Sequence, residues 1–140
     1  MRVLCLDLGE KRIGIAVSDE LGLTAQGVSV LERKGLRQDI EAVAGFASQY
    51  EAGNVVVGLP RNMDGSYGPA ANKARRFAQA FEEATGIKTE LFDERMTTAI
   101  ASRVLIERDM SRQERKRTVD KVAAQVILQS YLDTMRQRQS

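Results

Sequence analysis

The first quarter of the chain alternates short apolar runs with polar links. The runs are RVLCLDLG (2–9), RIGIAVSD (12–19) and TAQGVSVLER (24–33), and only Glu10 and Lys11 stand between the first two runs. Aliphatic runs of this length predict strands, and a short polar link suits a tight hairpin. We therefore predict that the chain begins with an antiparallel meander of three strands.

After residue 35 the apolar positions return mainly at helical spacing, with two short exceptions. NVVVGLP (54–60) and KTELFDE (88–94) are short enough to predict a fourth and a fifth strand. The helical spacing predicts four helices, at 36–50, 70–84, 97–110 and 118–133. The basic stretch SRQERKR (111–117) bridges to the last helix, and Ser111 and Glu114 can form a capping box if this stretch is helical. This order predicts an α/β protein, with a five-stranded mixed sheet flanked by helices in one domain spanning 1–140.

The last predicted helix has an aspartate on its apolar side. With 100° per residue, Asp120 points between the directions of Ile127 and Tyr131. The apolar face is formed by Val119, Val122, Ala123, Val126, Ile127 and Tyr131. A buried and unpaired charge costs several kcal/mol, so Asp120 needs a partner. A structural role is open, with Asp120 capping near Thr118 or bonded to Lys116.

Two other sites carry acids where the strand pattern predicts burial. Asp7 interrupts the first strand near its end, and Asp93 and Glu94 close the fifth strand. Side chains alternate along a strand, so Asp93 and Glu94 point to opposite faces and only one can join a site on a given side. Local explanations exist for each, such as a turn at Asp7 or a pair between Asp93 and Arg95, but a shared site explains all the misplaced acids together.

Composition restricts the chemistry that such a site can perform. The chain has no histidine and a single cysteine, Cys5, which we expect to be a buried small hydrophobe. Cys/His zinc sites, disulfide frameworks and nucleophiles activated by histidine are therefore excluded. A cluster of carboxylates instead favours a hard divalent cation, Mg²⁺ or Mn²⁺, which offsets the repulsion between the acids.

Charge and hydropathy bear on the partners and the location. The net charge is only +2, so clustering of charge is more informative than the total. No stretch approaches the roughly 18 apolar residues that a membrane span needs. We expect a cytoplasmic protein without a membrane partner, either monomeric or homodimeric, since no dimer face is evident.

Four motifs, in this order, resemble the YqgF/RuvX family of the RNase H-like superfamily. They are DLGEKRIGIAVSD, VVVGLPRNMDGSYGPAA, DERMTTAIAS and VDKVAAQVILQSYL, and they extend from the first strand to the last helix. The resemblance implies an RNase H-like fold with an acidic metal site at Asp7, at Asp93 or Glu94, and at Asp120. Glu94, the middle residue of the DER motif, is favoured, with Asp93 as the alternative. The better-known RuvC resolvases place an acid at the end of the fourth strand, where this chain has GLP.

The function implied by the resemblance is a divalent-metal-dependent endonuclease acting on structured nucleic acid. The favoured substrate is the 5′ end of pre-16S rRNA, and the alternative is a Holliday junction or other branched DNA. A module that binds nucleic acid or the ribosome without catalysis is a competing class. Nucleotide binding in the manner of actin-like ATPases is a weaker alternative, because those proteins have two lobes and this chain has room for one.

Basic residues near the predicted acids are candidates for holding the nucleic acid. A hairpin tip, the start of the second helix, the DER motif and the basic stretch before Asp120 supply them. The candidates are Lys11, Arg12, Arg75, Arg76, Arg95, Arg115, Lys116 and Arg117. Asp64 and Gly65 predict a turn, and Tyr67 is a candidate for stacking on a base, with a packing role as the alternative.

Overall fold

The computed structural model of the chain describes residues 1–60, 64–93 and 112–139, and in the last helix the side chains of 120–138. Its elements are β1 (Arg2–Leu8), β2 (Arg12–Ser18), β3 (Ala25–Glu32), α1 (Leu36–Gln49), β4 (Ala52–Leu59), α2 (Pro69–Thr85), β5 (Lys88–Asp93) and α3 (Arg112–Gln139). The five predicted strands and the first two predicted helices are confirmed, with bounds that differ by two residues or fewer. The helix predicted over 97–110 lies outside the described residues.

The five strands form one mixed sheet in the order β3-β2-β1-β4-β5. β1 pairs antiparallel with β2, and β2 pairs antiparallel with β3, which confirms the predicted meander. β4 joins the other side of β1 in parallel, and β5 follows parallel to β4. β1 is therefore the central strand, and its carboxyl end lies at the same edge of the sheet as the carboxyl ends of β4 and β5.

The two faces of the sheet are covered by different helices. On one face, residues such as Leu6 and Val57 pack with Val43 of α1 and Phe77 of α2. On the other face, Cys5 and Val56 pack with residues of α3. Because side chains alternate along each strand, every strand residue is assigned to the α1/α2 face or to the α3 face.

The ends of α2 follow from its sequence. Pro69 is the first helical residue, where its missing N–H removes no hydrogen bond. Gly86 follows the helix with a positive φ of 75°, and its N–H donates to the carbonyl oxygen of Glu82 at 2.8 Å. A left-handed residue of this kind favours glycine.

The last helix is longer than predicted. α3 has 28 residues and begins at Arg112, so the basic stretch is helical from Arg112 onward. This is the alternative that the possible capping box left open, and the interpretation as a link before the helix is wrong. Arginine, lysine, glutamine and glutamate are good helix formers even without an apolar stripe, which explains why the apolar pattern missed this part. In the described part of the chain, no helix combines the length and the apolar character needed to cross a membrane.

Candidate active site

Asp7 lies on the face of β1 that α3 covers. Cys5, two residues earlier on the same strand, packs in the cluster formed with α3, and Asp7 shares its side of the strand. The side chain is buried, with a residue exposure of only 8%. Directly across the antiparallel pair stands Gly14 of β2, which has no side chain to fill the space beside Asp7. Asp7 is therefore a buried acid at the end of the central strand, facing α3.

Asp120 continues the buried stripe of α3 toward the amino-terminal end of the helix. Ala124, Ile127 and Tyr131 lie four, seven and eleven residues further on, and all three are buried. The sequence correctly placed Ala123, Ile127 and Tyr131 on the buried side and missed Ala124 and Leu128, both fully buried. Asp120 thus faces the sheet, as its position on the helical wheel predicted.

Gly14 brings α3 close to the sheet at Asp120. A methyl group placed on Gly14 would lie 2.1 Å from the carbonyl oxygen of Asp120 and 3.5 Å from the side chain of Ala124. The backbone of α3 can therefore approach β2 this closely only because residue 14 is glycine. Since Gly14 also pairs with Asp7, both acids lie around the same glycine on the same face of the sheet.

Arg12 forms a salt bridge with Asp120. Its Nε donates to Oδ2 of Asp120 at 3.0 Å, and the two side chains are 23% and 25% exposed. Arg12 begins β2 and lies two residues before Gly14, on the same face of the sheet. An arginine paired with Asp120 lowers the cost of placing this acid against the sheet. The side chains of Thr118 and Lys116, the alternative partners, are outside the described set.

The structure separates Asp93 from the other two acids. Asp93 pairs with Leu59, which packs in the core of the α1/α2 face, whereas Phe92 packs in the cluster on the α3 face. The hydroxyl of Tyr67 donates to Oδ2 of Asp93 at 2.9 Å. Asp93 is therefore on the opposite face from Asp7 and Asp120. Glu94, the favoured third acid, lies outside the described residues.

The fourth strand offers no acid to this site. Gly58 is the residue of β4 that pairs with Phe92, and both are on the α3 face. It is followed by Leu59, on the opposite face. The GLP motif departs from the RuvC pattern, which has an acid at the end of the fourth strand. At this end of β4, beside the central strand, the residue on the α3 face is Gly58.

The donors around Gly14 suit a hard cation. Asp7 and Asp120 offer carboxylate oxygens, the ligands that Mg²⁺ and Mn²⁺ prefer, and Asp7 is buried where a bound cation would offset its charge. Within residues 1–60, 64–93 and 112–139, no group of three or more Asp, Glu or Cys side chains could hold a metal. A metal held by Asp7 and Asp120 would take a further ligand, and Glu94 is the residue predicted for that role.

The predicted basic residues fall into three groups. Lys11 is exposed at the tip between β1 and β2, and Arg75 and Arg76 are exposed on α2. The guanidinium of Arg75 lies over the ring of Tyr67, 4.9 Å from its centroid, so Tyr67 is in contact with a protein cation. Arg95 lies outside the described residues, as do the side chains of Arg115, Lys116 and Arg117, whose backbone belongs to α3.

The predicted turn after β4 has local hydrogen bonds. Oδ1 of Asp64 accepts the N–H of Ser66 at 2.9 Å, and Gly65 has a positive φ of 86°. The hydrogen bonds that Ser66 donates hold the pKa of Asp64 below its ordinary value. The turn interpretation of Asp64 and Gly65 is confirmed.

Arg33 is a residue near the site that the sequence did not single out. It follows β3, and its Nη1 donates to the carbonyl oxygen of Gly9 at 3.1 Å, two residues after Asp7. Its Nε donates to Oδ2 of Asp39, a buried acid with 3% exposure. The sequence signal that could have pointed to Arg33 was Asp39 in the first turn of α1. A buried aspartate implies a cation nearby.

The comparisons with known proteins agree with this architecture. A relative from Myxococcus xanthus, provisionally named a pre-16S rRNA nuclease, is 52% identical over 97% of this chain and 90% of its own length. One from Halothermothrix orenii with the same provisional name is 48% identical over 95% of each chain. Among solved structures, T. thermophilus RuvC in complex with Holliday junction substrate matches with a TM-score of 0.60 at 12% identity, covering 96% of each chain.

The solved structure shows the fold alone, because its sequence identity is low. Its likeness confirms the predicted RNase H-like architecture. The sequence relatives go further, since about half of all residues are identical over nearly the full length. The model of the RuvX family, described as Holliday junction resolvase, matches residues 1–134. This chain belongs to the RuvX family.

Proposed function

We propose that this chain is a divalent-metal-dependent endonuclease that processes the 5′ end of pre-16S rRNA. The observation that carries the proposal is the identity of about 50% to relatives that bear the pre-16S rRNA nuclease name, over nearly the full length of both chains. The family model spans residues 1–134, which include β1, β5 and the part of α3 that carries Asp120.

Asp7, Glu94 and Asp120 are the proposed metal ligands. Asp7 and Asp120 lie on the same face around Gly14, which supports a shared site, and Asp93 lies on the other face, which supports Glu94 as the third ligand. When bound, Mg²⁺ or Mn²⁺ supplies Lewis-acid activation of water and stabilises charge on the phosphate oxygens.

The other residues of the chain position the acids and the substrate. Arg12 holds the carboxylate of Asp120 at 3.0 Å and so fixes its orientation toward β2. Lys11 places a second cation at the adjacent hairpin tip, where it is exposed to a phosphate backbone. The remaining proposed contacts with nucleic acid are made by Arg75, Arg76, Arg95, Arg115, Lys116 and Arg117.

A Holliday junction or other branched DNA is the second candidate substrate. The description of the matching family model as Holliday junction resolvase favours it. Against it stands Gly58 on β4, where the RuvC pattern has an acid. With a pre-rRNA substrate the proposed location is the cytoplasm, and the proposed state is a monomer or a homodimer.

Cleavage of labelled pre-16S rRNA and of a four-way DNA junction, side by side with Mg²⁺ and with Mn²⁺, tests the proposal. We expect the wild-type protein to shorten the 5′ end of the RNA, and Asp7→Asn to lose cleavage while still binding the RNA. Cleavage of the junction alone would favour the second candidate.

The same preparations distinguish the noncatalytic alternatives. RNA binding without any cleavage, unchanged in Asp7→Asn and Asp120→Asn, would identify a binding module and contradict the nuclease. A rise of the melting temperature with ATP would instead indicate nucleotide binding.

A further inference from the structure

A small basic cavity lies on the α1/α2 face, at the edge of the sheet where β1 and β4 end. It has a volume of about 300 Å³ and is lined by Arg33, Leu36, Lys73, Arg76 and Phe77. Three of these five residues are cations, and no acid is among them. The apolar part is formed by Phe77, which is 1% exposed, and by Leu36, which is 49% exposed. The lining of the cavity thus combines three positively charged side chains with two apolar ones.

Arg33 is fixed in place rather than free in solvent. Its Nε donates to Asp39 at 3.3 Å and its Nη1 to the carbonyl oxygen of Gly9 at 3.1 Å. Its backbone N–H donates to the carbonyl oxygen of Lys11 at 2.8 Å, and Oδ1 of Asp39 accepts the N–H of Lys34. A guanidinium has five N–H donors in a rigid fork. A guanidinium that a buried acid holds in place is well suited to donate hydrogen bonds to a phosphate.

Lys73 and Arg76 place two further positive charges beside Arg33. They stand three residues apart on α2, so they are neighbours on the helix surface and repel each other. Neither forms an ion pair with any acid in the described part of the chain. Arg75, between them in sequence, instead lies over Tyr67. Two neighbouring cations without an acidic partner are stabilised by an anion that binds between them.

The cavity and the acids lie at the same edge of the sheet but on opposite faces. Arg33 contacts Gly9, which lies two residues after Asp7 and directly follows the central strand. Asp7 faces α3, whereas the cavity is formed by α1 and α2. A strand of nucleic acid that crosses this edge would meet the acids on one side and the cations on the other.

We infer that the cavity between Arg33, Lys73 and Arg76 binds one phosphate of the nucleic-acid strand, a few nucleotides from the cleaved bond. A cavity of about 300 Å³ is at the small end of ligand sites, so it accommodates a single nucleotide unit rather than a duplex. Its cations bind the phosphate, and the exposed side chain of Leu36 contacts the sugar. The inference rests on the proposed function and adds a second contact point on the face remote from the acids.

The test measures binding without cleavage. The affinity of a fluorescein-labelled RNA hairpin is determined by anisotropy at several salt concentrations, in EDTA, for the wild type and for the double variant Lys73→Gln/Arg76→Gln. We expect weaker binding and a slope of log Kd against log salt that is smaller by about 1 to 2, because contacts with phosphate are lost. Both positions are exposed on α2, so the variant should keep the wild-type melting temperature.

The matched control is Arg136→Gln/Arg138→Gln, which removes the same charge at the end of α3 remote from Asp120. Those residues are 16 and 18 positions from Asp120, roughly 24 Å or more along the helix. We expect the wild-type salt slope for this control. Equal slopes for the two double variants would overturn the inference. A second result would also overturn the inference. If AMP raises the melting temperature of the wild type but not of the Lys73→Gln/Arg76→Gln variant, and this variant binds RNA as the wild type does, the cavity is a mononucleotide site.

Failure of the inference is distinguishable from failure of the proposed function. The binding assay contains no divalent cation and reports only on contacts with the RNA. If the salt slope falls only in the Lys73→Gln/Arg76→Gln variant while the wild-type protein cleaves no substrate, the nuclease is contradicted and the phosphate site is supported.

Discussion

The two faces of the sheet are built from different kinds of residues. The α1/α2 face is filled by large side chains, among them Leu6, Ile15, Phe77 and Phe81, all essentially inaccessible to solvent. The α3 face has alanine, cysteine and glycine at its centre and carries two acids and an arginine at one end. Large side chains hold a helix away from a sheet, whereas Gly14 lets α3 approach until its backbone touches β2. Both faces bury apolar side chains, and the α3 face in addition brings polar groups from distant parts of the chain together.

Removing a large side chain from the α1/α2 face should have the largest effect on stability. Phe81 is fully buried, and its ring stacks on Phe77 with centroids 6.1 Å apart. Phe81→Ala is expected to lower the free energy of unfolding by about 3–5 kcal/mol. Urea denaturation measures the loss, and the kcat of the remaining folded protein should be unchanged. A change in kcat at full folding would contradict the division between the faces.

Adding a methyl group to the α3 face should be nearly as costly. Gly14→Ala forces the carbonyl group of Asp120 away from β2, and we expect it to lower the free energy of unfolding by about 3 kcal/mol. The movement of Asp120 should also lower cleavage in the folded fraction. Gly45→Ala is the control, because Gly45 lies in α1 with open space around it. That variant is expected to gain up to about 1 kcal/mol from helix propensity. Equal stability of the two variants would contradict the close approach.

Neutralising Arg12 should change the acid site more than the fold. The pair with Asp120 is partly exposed, so its loss costs about 1 kcal/mol or less. Without Arg12 beside it, Asp120 presents a stronger negative charge. We expect Arg12→Gln to bind Mn²⁺ up to about fivefold more tightly, as measured by calorimetry. An unchanged or weaker affinity would mean that Arg12 does not compete with the cation.

The far end of the α3 face should behave as ordinary core. Tyr131 donates a hydrogen bond to Glu90 at 3.3 Å, and burial, followed by the charge of Glu90, raises the pKa of Tyr131. Tyr131→Phe should lose under about 1 kcal/mol of stability at pH 8 without loss of cleavage. The raised pKa means that the neutral phenol is favoured by folding. Its contribution is complete below about pH 10, the unfolded value, and is lost as the pH rises through the folded value.

The difference between Tyr131→Phe and the wild type should therefore shrink above pH 10. Urea denaturation at pH 8 and pH 11 measures it. A difference that grows with pH would contradict the raised pKa.

The strands and the first two helices were predictable because each has a strong local period, and the antiparallel meander was predictable because its links are short. The alternation of β1 and the helical spacing of α3 even placed Asp7 and Asp120 toward the core. The pair between Arg12 and Asp120 was not predictable, because it joins residues 108 positions apart and depends on sheet register. Alternation separated Asp93 from Glu94, but only the pairing of Asp93 with Leu59 showed which face Asp93 occupies. The start of α3 was missed because its first turns lack an apolar stripe.

Mn²⁺ binding followed by electron paramagnetic resonance tests the shared metal site most directly. We expect Asp7→Asn and Asp120→Asn each to weaken Mn²⁺ binding and cleavage by roughly 100-fold or more, since even the loss of an outer-shell partner costs 10–100-fold. We expect the same loss for Glu94→Gln. Asp93→Asn should keep wild-type Mn²⁺ binding, because its side chain is on the other face of the sheet. Loss of Mn²⁺ binding in Asp93→Asn, with full binding in Asp7→Asn, would contradict a metal site shared by Asp7, Glu94 and Asp120.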